Sequence, residues 1–316
     1  MDSNEATVYI PTLDGGERLA ACLRAMLAQT VPVRVVVADN GPGDGCRELL
    51  ETDFPEVDRI GFGRNLGFGP ALNRAISRFG SGPVILLNDD AVARPDFIEA
   101  LMLERHAEMT AAVLVSERDP SRIDSAGVLT DQTLMGFDYL SGEPVSVLDS
   151  AGDPMGPTGG AALYERASFE RVGGFDERIF LYYEDLDLDL RIRAMGGNCR
   201  LAGSARAVHG YSETLGPRSD RKYAMTGWSR GYLMRRYGVM SGLRNAAAAL
   251  GRESAICGGQ IVSDRTFAGL TGRIRGWRQA RGLPERTLPS DAVMRMSIPG
   301  ALALRRARHS HSYSDR

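Results

Sequence analysis

The chain has 316 residues, 43% of them hydrophobic and 25% charged, with a net charge of -2. Such a composition is ordinary for a soluble globular protein, and the length is enough for one large domain or two modest ones. No apolar run approaches the roughly 18–20 residues of a membrane span, which excludes a chain threaded through a bilayer by helices.

The near-neutral total hides a split. Residues 1–215 carry 19 Arg against 34 Asp and Glu, whereas residues 216–316 carry 18 Arg and one Lys against 6 acids. This suggests an acidic body, 1–215, and a basic extension, 216–316, facing a membrane surface, an acidic partner or nucleic acid. No nucleic-acid recognition motif accompanies the basic charge. Cys22, Cys46, Cys199 and Cys257 lie far apart with no CxxC pair. That argues against a zinc site or a disulfide framework and fits a reducing compartment. The acidic start, Met1 to Glu5, lacks the profile of a signal peptide. The expectation is a cytoplasmic protein whose membrane contact, if any, is peripheral.

In chain order, Thr7 to Ile10 reads as a strand stopped by Pro11, and Leu19, Cys22, Leu23, Met26 and Leu27 mark a helix. Val33 to Ala38 is a second strand that ends in Asp39-Asn40 and a glycine-rich loop. An acid at such a strand end suits a ribose or base, and equally a polar turn. Gly61 to Gly69 leads into a helix from Pro70 to about Phe79. Its glycines do not make GxGxxG, because Leu66 stands at the third position. Arg64 could neutralise a phosphate there, and Asn73 could reach into the same cleft. Val84 to Leu87 then reads as a buried strand running into Asn88-Asp89-Asp90. Acids at that end can share a hard divalent cation with substrate phosphates, or simply cap the following helix. Phe97, Leu101 and Leu103 are expected core, Val113 to Val115 a further strand, and 117–155 a polar loop with short strands. The strand–helix alternation predicts a doubly wound sheet.

A second block runs from Gly156 through Gly159-Gly160 and Gly173-Gly174-Phe175-Asp176-Glu177 to Tyr182-Tyr183-Glu184-Asp185. There a helix begins with Leu186 and Leu190 facing inward. Acids in a first turn follow from the helix dipole alone, so Asp187 and Asp189 are expected in solvent. Glu184 and Asp185 stand where a cap or a base would. Val208-His209 ends a short strand, and a lone histidine is usually structural. The basic end reads as helices over Tyr223–Tyr237 and Gly242–Leu250. A third segment spaces Phe267, Leu270, Ile274 and Trp277 by three and four among five arginines. Such a helix suits an anionic membrane surface, or packs on the catalytic domain. Arg305 to Arg316 is expected to be disordered.

Together Pro11-Thr12, Val37 to Asn40, Arg64 to Gly69, Leu87 to Asp90, Gly159 to Ala161, Gly173 to Glu177, Tyr183 to Leu188 and Val208-His209 resemble family 2 glycosyltransferases. The order of the motifs is most like the bacterial rhamnosyltransferase-like branch. The resemblance covers roughly residues 7–212. It implies the A-type glycosyltransferase fold, a Rossmann-like mixed α/β sheet flanked by helices, with a helical C-terminal extension. It would place Pro11, Thr12 and Asp39 around a nucleoside, and Arg64, Asn65 and Asn73 near ribose and diphosphate. Asn88, Asp89 and Asp90 match an Asp-x-Asp motif. By that match Asn88 and Asp89 would face the donor, while Asp90 and His209 would hold Mg2+ or Mn2+. Asp185 matches the acceptor-activating base, with Glu184 beside it. Asn88 departs from the motif's first acid, and Asp14 stands where Asn is common.

The implied activity is an inverting transfer from a dTDP-rhamnose or UDP-sugar donor to a glycan or lipid-linked acceptor in cell-surface polysaccharide assembly. One activating carboxylate without a covalent sugar–enzyme intermediate implies inversion. A catalytically silent sugar-nucleotide or glycan binder and a nucleotidyltransferase are the alternatives. A homo-oligomer is compatible with the sequence, and no nucleic-acid partner is expected.

Overall fold

The computed structural model describes residues 6–210 and 218–295. The expectations for the leading residues and for Arg305 to Arg316 lie outside these. Two compact units emerge, one from Met1–Val128, Asp138–Phe180 and Glu184–Ser212, the other from Leu129–Phe137, Leu181–Tyr183 and Glu213–Arg316. The second unit therefore includes two short inner segments that a cut at 215 does not foresee.

The first unit is built on a mixed sheet. Strands β1 (Ala6–Thr12), β2 (Val33–Asp39), β3 (Asp58–Gly61) and β4 (Val84–Leu87) run parallel in the order β3-β2-β1-β4. The sheet continues through β10 (Ala161–Tyr164), β6 (Met109–Ser116), β11 (Cys199–His209) and β5 (Ala91–Ala93), with β7 (Ile123–Ser125) on β6. β10 runs antiparallel to both β4 and β6, and β5 runs antiparallel to β11. The purely wound pattern expected from alternation thus becomes mixed beyond β4. Pro11 does not end β1, because pairing with β4 has already stopped at Tyr9 and the missing N–H leaves no ladder bond vacant there.

Helices cover both faces, so the strands are apolar on both sides. On one face Val8, Ile10, Val35, Val37, Ile85 and Leu87 pack with Leu19, Leu23 and Met26 of α1 (Glu17–Leu27) and with Phe97 and Leu101 of α4 (Phe97–Leu103). The residues between them, Tyr9, Val36, Val84 and Leu86, point the other way. They meet Leu72 and Ile76 of α3 (Phe68–Arg78) and Leu188 and Ile192 of α6 (Glu184–Arg193). The period of two in each strand sorts the core into its layers. Leu103, expected inside, is exposed at the end of its short helix. Helices α2 (Gly45–Asp53) and α5 (Arg166–Arg171) complete the unit. β11 is 11 residues long, far beyond the short strand expected around Val208.

The second unit holds α7 (Asp220–Arg236), α8 (Leu243–Asp264) and α9 (Ala268–Gln279), with most of the β8 (Val128–Thr130)–β9 (Gly136–Asp138) pair. α8 runs well past the Leu250 limit read from sequence. Charged side chains are buried here in complementary sets. Glu253 bridges Arg230 and Arg273, and Arg252 pairs with Asp131. Burial raises the Glu253 carboxyl, but the two guanidiniums outweigh that and bring it down to about 2. Tyr182 and Tyr183 both take a φ of 71°, a left-handed conformation unfavourable to residues with a Cβ. Lys222 and Arg230 of α7 lie over their rings at 5.9 and 5.8 Å. The four cysteines are buried and none is in a disulfide. Among the described residues no helix is long and apolar enough to cross a membrane.

Candidate active site

The parallel strands end together. Register sets Thr12, the last residue of β1, against Asp39, the last of β2, and Asp39 against Gly61 of β3. β4 delivers Asn88-Asp89-Asp90 at the same end, where ligands bind in an open α/β sheet. Pro11 is half-buried beside Thr12, which is buried. The Thr12 hydroxyl donates to Asp89 at 2.6 Å. Burial pushes the Asp89 carboxyl up to about 6, with the neighbouring negative charges of Asp90 and Asp14 adding to the effect against the Thr12 bond. Such a carboxylate gains from a cation.

Asp39 is buried and held by Arg59, whose Nε and Nη2 donate to its Oδ2 at 2.9 and 2.6 Å, while Gly41 N–H donates to Oδ1 at 3.2 Å. Arg59 carried no signal in the sequence. Asn40, quoted above only within a motif, is a buried organiser of the next loop. It donates to Asn65 Oδ1 and Gly67 O, both at 3.1 Å, and accepts from Leu66 N–H at 2.8 Å. Asn65 itself shapes this turn, its Oδ1 also accepting from Gly67 N–H at 2.9 Å. Arg64 is exposed at the same loop. Gly67 needs its freedom, with φ of 97° and the Phe180 carbonyl 2.6 Å from where a Cβ would sit.

Asn73 is turned to the loop that follows Gly173 and Gly174. Its amide is engaged by one backbone, donating to Phe175 O at 3.0 Å and accepting from Phe175 N–H at 2.9 Å. It fastens the Gly173-Gly174-Phe175 turn onto α3, a structural task that matches the strict donor–acceptor pairing of a buried loop.

On the other side of β4, Asn88 N–H donates to Gly160 O at 3.0 Å. The adjacent Gly159 N–H donates to Asp185 Oδ2 at 3.0 Å, and Leu186 N–H to Asp185 Oδ1 at 2.7 Å. A Cβ at Gly159 would lie 3.5 Å from Asp185 Cβ, and one at Gly160 3.1 Å from the Asn88 amide nitrogen. The paired glycines thus bring Asp185 up to the end of β4. Burial raises the Asp185 carboxyl, against those two backbone donors. Glu184 is buried, its Oε2 has no hydrogen-bond partner among the described residues, and desolvation followed by the charge of Asp185 pushes it up to about 8. Asp187 and Asp189 correct the sequence expectation of solvated acids, for both are fully buried. Asp187 pairs with Arg191 at 2.9 Å, and Asp189 accepts from the Tyr164 hydroxyl at 3.0 Å. Most of the helix is buried, including the positions of both acids, which the dipole argument could not reveal.

Asp90 and His209 meet through the sheet. β5 pairs Ala91 with His209, which sets the preceding Asp90 beside the imidazole, His209 Nε2 lying 3.3 Å from Asp90 Oδ1. His209 Nδ1 lies 2.7 Å from Asp124 Oδ2. Asp124 was missed by sequence reading, and its origin is geometric. β6 pairs Leu114 with Ser125 and Val115 with Ile123, so Asp124 is the extra residue of a β-bulge. Bulges commonly re-aim a side chain next to an active site. Burial pulls the His209 pKa down, but the bonds to Asp124 and Asp90 outweigh it and carry it up to about 10.

The glycosyl transferase family 2 model matches residues 7–173, just over half of the chain. The chain belongs to glycosyltransferase family 2. This glycosyltransferase is 31% identical over 226 residues to the N-acetylglucosaminyl-diphospho-decaprenol L-rhamnosyltransferase of Mycobacterium tuberculosis, covering 63% of this chain and 73% of that one. The rhamnosyltransferase WbbL of Escherichia coli K12 is 25% identical, with 64% and 83% covered. Among solved structures, the Pyrobaculum calidifontis mannosyltransferase PcManGT, in complex with GDP-Man and Mn2+, superposes with a TM-score of 0.53 at 18% identity, covering 98% of this chain and 81% of that one. Staphylococcus aureus TarS residues 1–349 with UDP-GlcNAc gives 0.55 at 15%, covering 98% and 92%. These superpositions establish the A-type fold for the glycosyltransferase.

The donor set suits a divalent cation. Two strand-end carboxylates, Asp89 and Asp90, lie in one acidic end of the sheet, and Asp124 holds one imidazole nitrogen so that the other faces Asp90; a cation bound there would displace the proton that His209 otherwise keeps. Among the described residues no three acidic, histidine or cysteine side chains converge to hold an ion by themselves.

Proposed function

We propose that this glycosyltransferase moves a sugar, with inversion, from a dTDP-rhamnose or UDP-sugar donor to a glycan or lipid-linked acceptor in cell-surface polysaccharide assembly. Catalysis is assigned to residues 1–215, with 216–316 as a basic extension, in a cytoplasmic enzyme. The observation that carries the reading is Asp185, a carboxylate gripped by two backbone N–H groups beside the strand end that presents Asn88-Asp89-Asp90. The names of the mycobacterial and enteric relatives support rhamnose as the sugar, and that of the mycobacterial relative supports a lipid-diphosphate acceptor.

In this reading Asp39, immobilised by Arg59, and Thr12 line the nucleoside pocket, and Asn40 sets the loop through Arg64 and Asn65 along the diphosphate. Mg2+ or Mn2+ held by Asp90 and His209, with Asp89 and Asn88 facing the donor, would offset the negative charge that grows on the departing diphosphate. Asp185 accepts the proton of the acceptor hydroxyl, its burial raising its basicity for that step. Glu184, neutral at physiological pH, leaves Asp185 as the ionised member of the pair.

The test is release of nucleoside diphosphate from a panel of dTDP- and UDP-sugars, with and without Mg2+ or Mn2+, by the wild type and Asp185→Asn. Donor cleavage that needs both the cation and Asp185 is the expected result. Pyrophosphate release from a nucleoside triphosphate would point to a nucleotidyltransferase instead. Nucleotide-sugar binding without turnover would mark a silent relative. Near-normal turnover of Asp185→Asn would remove Asp185 as the base.

A further inference from the structure

Helix α9 is assembled inside out. A helix at a protein surface normally turns its large apolar residues inward. α9 instead meets α7 through glycine. Side chains at Gly272 and Gly276 would land on the backbone carbonyls of Ala224 and Trp228, and side chains at Gly227 and Gly231 of α7 would land on those of Gly269 and Arg273. The two backbones are in contact, and the buried residues of α9 are Gly269, Gly272, Arg273 and Gly276. The opposite stripe carries the bulk. Phe267, Leu270 and Ile274 are 58%, 37% and 43% exposed, at spacings of three and four that align them on one face. Within its own unit, then, α9 is packed through its glycines and not through Phe267, Leu270 and Ile274, while Trp277 lies half-buried under Arg235 of α7.

The charge around the stripe has one sign. Between Asp264 and Glu285 the chain has five arginines and no acid. Arg273 is spent internally on Glu253, while Arg265, Arg275, Arg278 and Arg281 are exposed. Whatever covers the stripe must be apolar at its centre and anionic around it. A second copy of α9 would set arginine against arginine. The remaining chain offers the same sign at Arg305, Arg306 and Arg308. The boundary of an anionic bilayer satisfies both demands, taking the apolar side chains below the headgroups while the guanidiniums extend to the lipid phosphates.

We infer that the outward face of α9 docks on an anionic lipid surface. The inference is independent of the transfer reaction. It is tested by sedimenting the full-length protein with phosphatidylcholine vesicles, with and without phosphatidylglycerol, at low and high salt. Two double variants are compared, Leu270→Gln with Ile274→Gln, and Arg275→Gln with Arg278→Gln. All four positions are exposed, and unchanged thermal unfolding confirms that each variant folds.

The expected result is binding to phosphatidylglycerol vesicles alone, weakened by salt. The arginine pair should weaken binding about thirtyfold, at about fivefold per arginine, and the apolar pair by about tenfold. Equal binding to pure phosphatidylcholine, no binding to either vesicle, or binding that neither double variant changes overturns the inference. So does a wild-type dimer that Leu270→Gln with Ile274→Gln dissociates, since a second copy would then be the cover. Binding to an anionic oligonucleotide as tight as to vesicles, and indifferent to the apolar pair, overturns it in favour of nucleic acid.

Discussion

Replacing Glu184 by Gln should stabilise the protein at neutral pH and leave it unchanged in acid. The Glu184 carboxyl is buried, its pKa is raised by desolvation and then by Asp185 from 4.5 to about 8, and its Oε2 has no partner among the described residues. Between those two values the folded protein retains a proton that the unfolded chain has released. Stability is therefore greatest below the unfolded pKa and falls as pH rises, by about 1.4 kcal/mol per pH unit, until the folded pKa is passed. At pH 7 the loss amounts to about 3 kcal/mol, since some two and a half units of the window have been crossed. Gln mimics the protonated acid and has no such titration. Urea unfolding of wild type and Glu184→Gln across pH 5 to 8 should show curves that converge at the acid end and separate steadily above it. Turnover at pH 7 should stay within about tenfold of wild type, because the neutral form is the one already present, whereas loss of a true acid–base group would remove about a hundredfold or more. A stability difference that does not change with pH, or a collapse of turnover, would refute the reasoning.

Asp124→Asn should weaken Mn2+ binding roughly 10- to 100-fold, because the carboxylate that orients His209 is lost. Paramagnetic resonance titration with a nucleoside diphosphate present reads this directly, and unchanged affinity would leave the bulge with a purely structural role. The same Gly→Ala change should have opposite signs in two helices of the second unit. At Gly276 the methyl meets the Trp228 carbonyl and should destabilise by about 2 kcal/mol, whereas at Gly259 nothing lies within 4 Å and the change should stabilise by about 0.5–1 kcal/mol. Denaturant unfolding followed by circular dichroism separates the two. Asp185→Asn should lower turnover by about 10²–10⁴-fold while leaving the thermal shift caused by nucleoside diphosphate intact, because the amide keeps the side chain's shape but not its basicity.

The strand–helix alternation through residue 105, the buried strand before Asn88 and the amphipathic face of α1 were legible in the sequence. Each is written in local periodicity and in the punctuation of glycine and proline, which need no knowledge of distant residues. The strand-end polar residues were legible for the same reason, since a strand's direction alone decides which end carries them. Asn73 shows the limit. Its place on a helix suggested a ligand, and nothing local foretold that both ends of its amide would bond to the distant Phe175 backbone.

Relations between segments were left to the tertiary structure. Arg59 grips Asp39 because β3 lies beside β2, and Asp124 reaches His209 because a single extra residue in β7 turns it there. Asp187 and Asp189 are buried because most of α6 is covered by its neighbours, although their spacing is that of a solvated helix start. The clearest case is α9. Its sequence determines two faces, one of glycine and one of Phe267, Leu270 and Ile274. Only the approach of α7, close enough that nothing larger than glycine fits, decides which of them faces solvent.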